Sequence, residues 1–150
     1  MSTVNIPKRR LNTKNPYVLE EQVGFILRQA TQRHTLIFAE RMSEDLTPTQ
    51  FSALVKLHAI SPVSQNLLGR LTAMDAATIK GVIGRLVARG YVEAQPDPQD
   101  SRLRLLKLTS LGRQAVERSL PLAEAITHET LAPLGARERE TLLRLLRRLC

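Results

Sequence analysis

Through most of this chain apolar residues return every third or fourth position, the spacing of a helix with one buried face. From Tyr17 to about Ser43 the residues Leu19, Val23, Ile26, Leu27, Ala30, Ile37, Phe38 and Met42 predict a long first helix. Leu46-Thr47-Pro48-Thr49-Gln50-Phe51 is a complete start for a second: Thr47 as N-cap, Pro48 at the first position, Gln50 closing a capping box, Leu46 stapled to Phe51. Phe51, Leu54, Val55 and His58 carry it to about Ala59, where Ser61-Pro62 stops it. Ser64 caps a short third helix with Leu67, Leu68 and Leu71, and Thr72 to Met74 is a turn. Asp75 caps a fourth helix running to about Arg89, with Ile79, Val82, Ile83 and Leu86 as its apolar stripe and Gly90 as a left-handed stop.

The helical period fails between Tyr91 and Leu108. Tyr91 to Gln95 has β-forming character, Pro96-Asp97-Pro98-Gln99-Asp100-Ser101 is turn chemistry, and Arg102 to Leu108 sets Arg102, Arg104 and Lys107 among leucines. This predicts a two-stranded hairpin resting on helices by one face. Thr109 then caps a fifth helix with Leu111, Ala115, Leu122, Ile126 and Leu131 on its buried side. Pro121 is expected to kink that helix or break it after Leu120, because it removes one hydrogen bond and collides with the preceding turn. After Pro133 and Gly135, a last helix over Ala136 to Leu149 aligns Leu142, Leu145, Leu146 and Leu149. The first helix and the last two carry more apolar surface than one small subunit can bury, so a homodimer built from both ends of the chain is expected.

Opposite its apolar stripe the fourth helix presents Ala76, Ala77, Thr78, Lys80, Gly81 and Arg85, with nothing acidic after Asp75. Small and basic residues of this kind lie flush against a nucleic-acid groove. The hairpin, with Pro and Asp at its tip and Arg at its base, suits a projecting finger. Asp100 is expected to hold the Arg102 guanidinium extended toward a phosphate or a narrow minor groove; the plainer reading is a solvated hairpin with a surface ion pair.

Charge supports a polyanion partner. The net charge is +8, and it is uneven: Lys8, Arg9, Arg10 and Lys14 have no acid among them, and Thr47 to Leu108 holds eight basic against four acidic residues. Basic charge alone fits RNA or anionic lipid equally well, but aromatics are only 3% with no Trp, so the stacking platforms of single-strand binders are missing. Duplex DNA is the better partner. The single cysteine, Cys150, excludes an internal disulfide and fits a reducing compartment. No apolar run has the length of a signal segment or membrane span, so a cytoplasmic protein without membrane contact is expected. His34, His58 and His128 share no metal-ligand spacing, and the chain has no phosphate loop, nucleophile elbow or paired-acid motif, so neither a metal, a cofactor nor an enzyme is expected.

The order LTPTQFSAL, SQNLLGRL, MDAATIKGVIGRLVARGYVE and DPQDSRLRLLKLTSLGR resembles the winged helix-turn-helix of the MarR family of bacterial transcription regulators, over about Leu46 to Arg113. Its most specific part is the DP-x-D-x-R wing followed by L-x-LT-x-x-G. Gly81 and Ala94 stand where many members carry Arg, and Ser101 replaces the first Arg of a common D-R-R wing.

Residues 1–16, polar, basic and interrupted by Pro7 and Pro16, read as a flexible basic arm; the resemblance implies a mainly α fold with a small β-wing, with a dimerisation helix over 17–46, the DNA-binding domain over 47–108 and C-terminal dimerisation helices over 109–150. Two recognition helices related by a two-fold axis enter major grooves about 34 Å apart, so the operator should be a near-palindrome. The candidate DNA contacts are Ser64, Gln65, Ala77, Thr78, Lys80, Arg85, Asp100, Arg102 and Arg104, some of them to phosphate rather than to bases.

Regulators of this kind repress catabolic operons and release DNA when a small aromatic acid binds between the dimerisation helices and the winged lobe. The LGRL-TAMD-AATI-x-GVI pattern is most similar to regulators of aromatic carboxylate degradation, the nicotinate-catabolism repressors among them, which points to an effector such as 6-hydroxynicotinate. His34, Phe38, His58 and Arg70 are the candidate ligand contacts, supplying a cation, hydrogen bonds and an apolar wall. Each has a plainer reading: Arg70 on phosphate, Phe38 in the core, either histidine at an interface. Two other functions fit the same residues: an architectural DNA-binding dimer that senses nothing, and a redox-sensing regulator acting through Cys150.

Overall fold

The computed structural model describes residues 17–150, and the arm expected over 1–16 lies outside the described residues. Contacts group the residues up to Gln32 as one unit and Arg33–Cys150 as another. In the first, a 3-10 turn at Leu19–Glu21 precedes helix α1 (Val23–Arg41), which runs on into the second unit. The helix expected from Tyr17 therefore starts later. Val18 offers no capping side chain and Gln22 is extended (φ −84°, ψ 132°), while the Gln22 side-chain amide donates to the Val18 carbonyl at 2.9 Å and closes the turn on itself.

In the second unit the remainder of α1 is followed by α2 (Pro48–Ile60), β1 (Val63–Ser64), α3 (Gln65–Leu71), α4 (Ala76–Ala88), β2 (Val92–Pro96), β3 (Arg104–Leu108), α5 (Ser110–Thr130) and α6 (Ala136–Arg147). The helix starts are those written in the sequence. Thr47 Oγ1 accepts the Gln50 N–H at 3.3 Å while Gln50 Oε1 accepts the Thr47 N–H at 3.1 Å; the capping box also satisfies the buried Gln50 side chain. Ser64, Asp75 and Thr109 cap α3, α4 and α5 through the backbone N–H groups of Leu67, Thr78 and Gly112. Gly90 ends α4 with φ +73°.

One core joins these elements. The predicted stripe of α4, Ile79, Val82, Ile83 and Leu86, is buried against Leu54 and Leu57 of α2, Leu68 of α3, Val92, Leu106 and Leu108 of the sheet, and Ala115, Val116 and Ile126 of α5. Burying each Leu or Ile stabilises the fold by roughly 1.5–3 kcal/mol.

Several further expectations are corrected. The sheet has three strands, in the order β1-β3-β2, because Val63 and Ser64 pair with Leu106 and Leu105; a two-residue strand carries no alternation by which sequence reveals it. The return strand begins at Arg104, opposite Pro96, rather than at Arg102. Helix α5 runs through Pro121 unbroken. Pro121 and Glu117, whose carbonyl loses its helical partner, both lie on the exposed side of the helix, where solvent lessens the cost of the missing bond. On α5 the buried residues are Gly112, Ala115, Val116, Ser119 and Ile126; Leu111 is exposed, and Leu122 and Leu131 are half-buried. The arrangement is a winged helix-turn-helix lobe flanked by longer helices.

Candidate nucleic-acid interface and ligand cavity

The turn between α3 and α4 is short because its backbone closes tightly. Thr72 Oγ1 donates to the Leu68 carbonyl at 2.7 Å, the Met74 N–H donates to the Gly69 carbonyl at 2.9 Å, and Ala73 adopts φ +54°. A Cβ at Gly69 would stand 3.1 Å from both Ile79 Cγ2 and the Met74 carbonyl, so glycine here lets the two helices meet. With its apolar side against α3, α4 leaves Ala77, Thr78, Lys80, Gly81, Gly84 and Arg85 exposed. The Asp75 carboxyl is held below its ordinary range chiefly by its hydrogen bonds from Thr78, so its negative charge stays at the positive end of the helix dipole. Ser64 caps α3 and Gln65 opens it, both half-buried.

The wing is tied by its own aspartates. Asp97 Oδ1 accepts the Gln99 N–H at 2.8 Å and Asp100 Oδ1 accepts the Arg102 N–H at 3.0 Å, Asx-type turns that stiffen the tip. Asp100 therefore holds the backbone of Arg102, and the expected pairing with its guanidinium is absent among the described residues. The short reach of an Asp side chain favours the amide two residues on over a long, freely rotating guanidinium. The described ion pairs are Arg41–Glu129, Lys107–Glu93 and Arg118–Glu44. None involves Lys80, Arg85, Arg102 or Arg104, so these exposed cations face water without an acidic partner among the described residues.

The candidate ligand residues divide. His34 and Phe38 line one cavity of about 190 Å³ with Pro48, Phe51, Ser52, Ala123, Ile126 and Thr127. Its walls are aromatic, with the Phe38 and Phe51 rings edge to face at 5.9 Å, and His34 Nδ1 lies 2.9 Å from Thr130 Oγ1. Arg70 is not in this cavity; it lines a depression of about 300 Å³ with Asn66, Gly69, Met74, Asp75, Ala76 and Ile79, beside the helix-turn-helix. His58 lies half-buried on α2 and lines neither. Sequence reasoning missed Ser52 and Thr127, the hydroxyls of the cavity wall; they carry no motif and meet only through the packing of α2 on α5.

A helix-turn-helix whose second helix is exposed, basic and unobstructed, with a stiff wing following it, defines a DNA-binding transcription factor of the winged-helix class. The MarR family model matches residues 44–103. The HTH-type transcriptional repressor NicR of Pseudomonas putida is 39% identical over 150 residues, which cover 99% of this chain and 95% of the relative. A probable transcriptional regulator from Pseudomonas aeruginosa, known as a crystal structure, superimposes with a TM-score of 0.87 at 51% identity, covering 89% of this chain and all of that one. BpsR of Bordetella bronchiseptica, whose structure addresses regulation of its DNA binding by 6-hydroxynicotinic acid, superimposes with a TM-score of 0.86 at 41% identity, covering 90% and 97% of the two chains. The chain belongs to the MarR family, as a DNA-binding transcription regulator of the repressor type.

Proposed function

We propose that this protein is a cytoplasmic homodimeric repressor of a catabolic operon, seated on a near-palindromic operator and released by a small aromatic carboxylate of the hydroxynicotinate kind. The observation that carries the DNA half is the exposed face of α4, where Thr78, Lys80 and Arg85 stand among small residues without acidic partners among the described residues. In this reading Ala77 and Gly81 let the helix approach the groove, and Ser64 and Gln65 place α3 against the backbone. Arg102 and Arg104 carry the wing to the flanking groove, and Asp100 shapes it. The arm over 1–16 adds sequence-independent attraction.

The effector half rests on the aromatic cavity. A pyridine or benzene ring would lie in this cavity against the paired Phe38 and Phe51 rings, with His34, Ser52 and Thr127 as polar partners. The likeness to BpsR, regulated by 6-hydroxynicotinic acid, favours that acid class. Dimerisation is supported by exposed apolar residues at each end: Val23, Ile26 and Leu27 on α1, and Leu143, Leu145 and Leu149 at the C-terminus. Segments 17–46 and 109–150 then serve as the dimerisation elements around a DNA-binding domain over 47–108.

The interface is tested by salt titration on a duplex selected from a random library. Lys80→Ala and Arg102→Ala should each flatten the dependence of log K on log salt by about one unit, as expected for one lost phosphate contact. Slopes equal to wild type for both would remove this face from the DNA.

A further inference from the structure

Outside the proposed contacts, a densely bonded cluster of charged side chains lies where α4 ends. Arg89, its C-terminal cap, points away from the exposed face of the helix. Its guanidinium donates to the consecutive carbonyls of Glu44 at 2.7 Å and Asp45 at 2.8 Å and to the Tyr91 hydroxyl at 3.2 Å, and it stacks over the Tyr91 ring at 4.7 Å. From α5, Arg118 grips the same connection: its Nε and Nη2 donate to the two Glu44 carboxylate oxygens at 2.7 and 3.1 Å. The Glu44 side chain is only 13% exposed. The hydrogen bond from Arg118 holds its carboxyl below the ordinary range, so the pair remains charged through neutral pH.

Forked bonds to two backbone carbonyls fix direction as well as distance, since a planar guanidinium has its donors in a rigid frame. The connection between α1 and α2 is thus fastened to the end of α4 by Arg89 and to α5 by Arg118. Its other side faces a cavity of about 260 Å³ that Asp45 lines with Thr35, Phe38, Met42 and Pro48, among others. Phe38 and Pro48 also line the aromatic cavity.

We propose that Arg89 is a positioning residue for operator recognition: with Glu44 and Arg118 it sets the seat of α4 without itself touching DNA. The inference rests on α4 being the recognition helix. It gives the aromatic cavity a mechanical route to that helix, through two shared residues and one short connection.

The test uses the full chain, with the duplex selected from a random library and a scrambled duplex of equal length. Arg89→Ala should weaken the selected duplex about tenfold, the scale of one misplaced base contact, and leave affinity for the scrambled duplex and the salt slope unchanged. Glu44→Gln keeps the shape and both backbone carbonyls, and should give a smaller loss of the same pattern. Wild-type affinity for the selected duplex in both variants overturns the inference. So does a salt slope reduced by Arg89→Ala as by Lys80→Ala, which would make Arg89 a phosphate contact. If Arg89→Ala lacks cooperative unfolding, Glu44→Gln decides by the same criteria. Lys80→Ala and Arg102→Ala both with wild-type slope would remove the interface reading and this inference with it, whereas a failure of the Arg89 and Glu44 variants alone removes only the inference.

Discussion

A methyl group at residue 112 has nowhere to go. The first turn of α5 lies against the backbone at Tyr91, and a Cβ on Gly112 would collide with the Tyr91 carbonyl. Thr109 holds that approach by donating its hydroxyl to the Gly90 carbonyl at 2.6 Å and its N–H to the Tyr91 carbonyl at 3.1 Å. Gly112→Ala should therefore destabilise the fold by about 2 kcal/mol or more, as overpacking at a tight contact does. Chemical denaturation checks it; a stability equal to wild type would contradict the close approach. At this scale the sequence is legible where one residue has a single local role, and Thr47, Ser64, Asp75 and Thr109 all cap as their types demand. It is less legible where a side chain chooses between partners. Asp100 takes the Arg102 amide, and Arg89, which the pattern marks only as the end of the fourth helix, finds carbonyls more than forty positions away.

Periodicity predicts the elements wherever a buried stripe is long enough to repeat. The α4 stripe is the clearest case, since all four of its apolar residues are buried. Short elements escape: β1 consists of Val63 and Ser64, and only pairing with β3 defines it. Pro121 shows the opposite failure, a strong local signal overridden by context. Local rules favour a break, yet the Ala115, Val116 and Ile126 contacts on either side hold α5 in one piece while the proline faces water. Because the helix is continuous there, Pro121→Ala restores a hydrogen bond without moving the core and should stabilise the protein by about 1–3 kcal/mol. Thermal unfolding is the measurement. A lower midpoint would mean that the proline is required by the packing around it.

For the molecule as a whole, the aromatic cavity was only partly legible, because His34 and Phe38 are brought to Ser52 and Thr127 by packing that no linear pattern records. The proposed dimer has a direct consequence. α6 and the residues after it leave Leu145 and Leu149 exposed, so Leu145→Glu places a charge on the proposed interface, where an unpaired buried charge is strongly disfavoured. Sedimentation should show the variant dissociating at concentrations where wild type is dimeric, with operator affinity lost alongside, since two half-sites then bind independently. A variant that stays dimeric would place the interface elsewhere.

Whether a ligand in the aromatic cavity governs the hold of the α4 face on DNA is decided by a mobility-shift titration. The probe is the promoter region beside the protein's own gene, at fixed salt, with nicotinate, 6-hydroxynicotinate or a benzoate-type acid added. A discrete complex, released by the hydroxylated nicotinate at stoichiometric loading of the protein, is the expected outcome. A tight complex indifferent to every acid would sink the nicotinate assignment and leave a DNA-binding dimer that answers to a different signal.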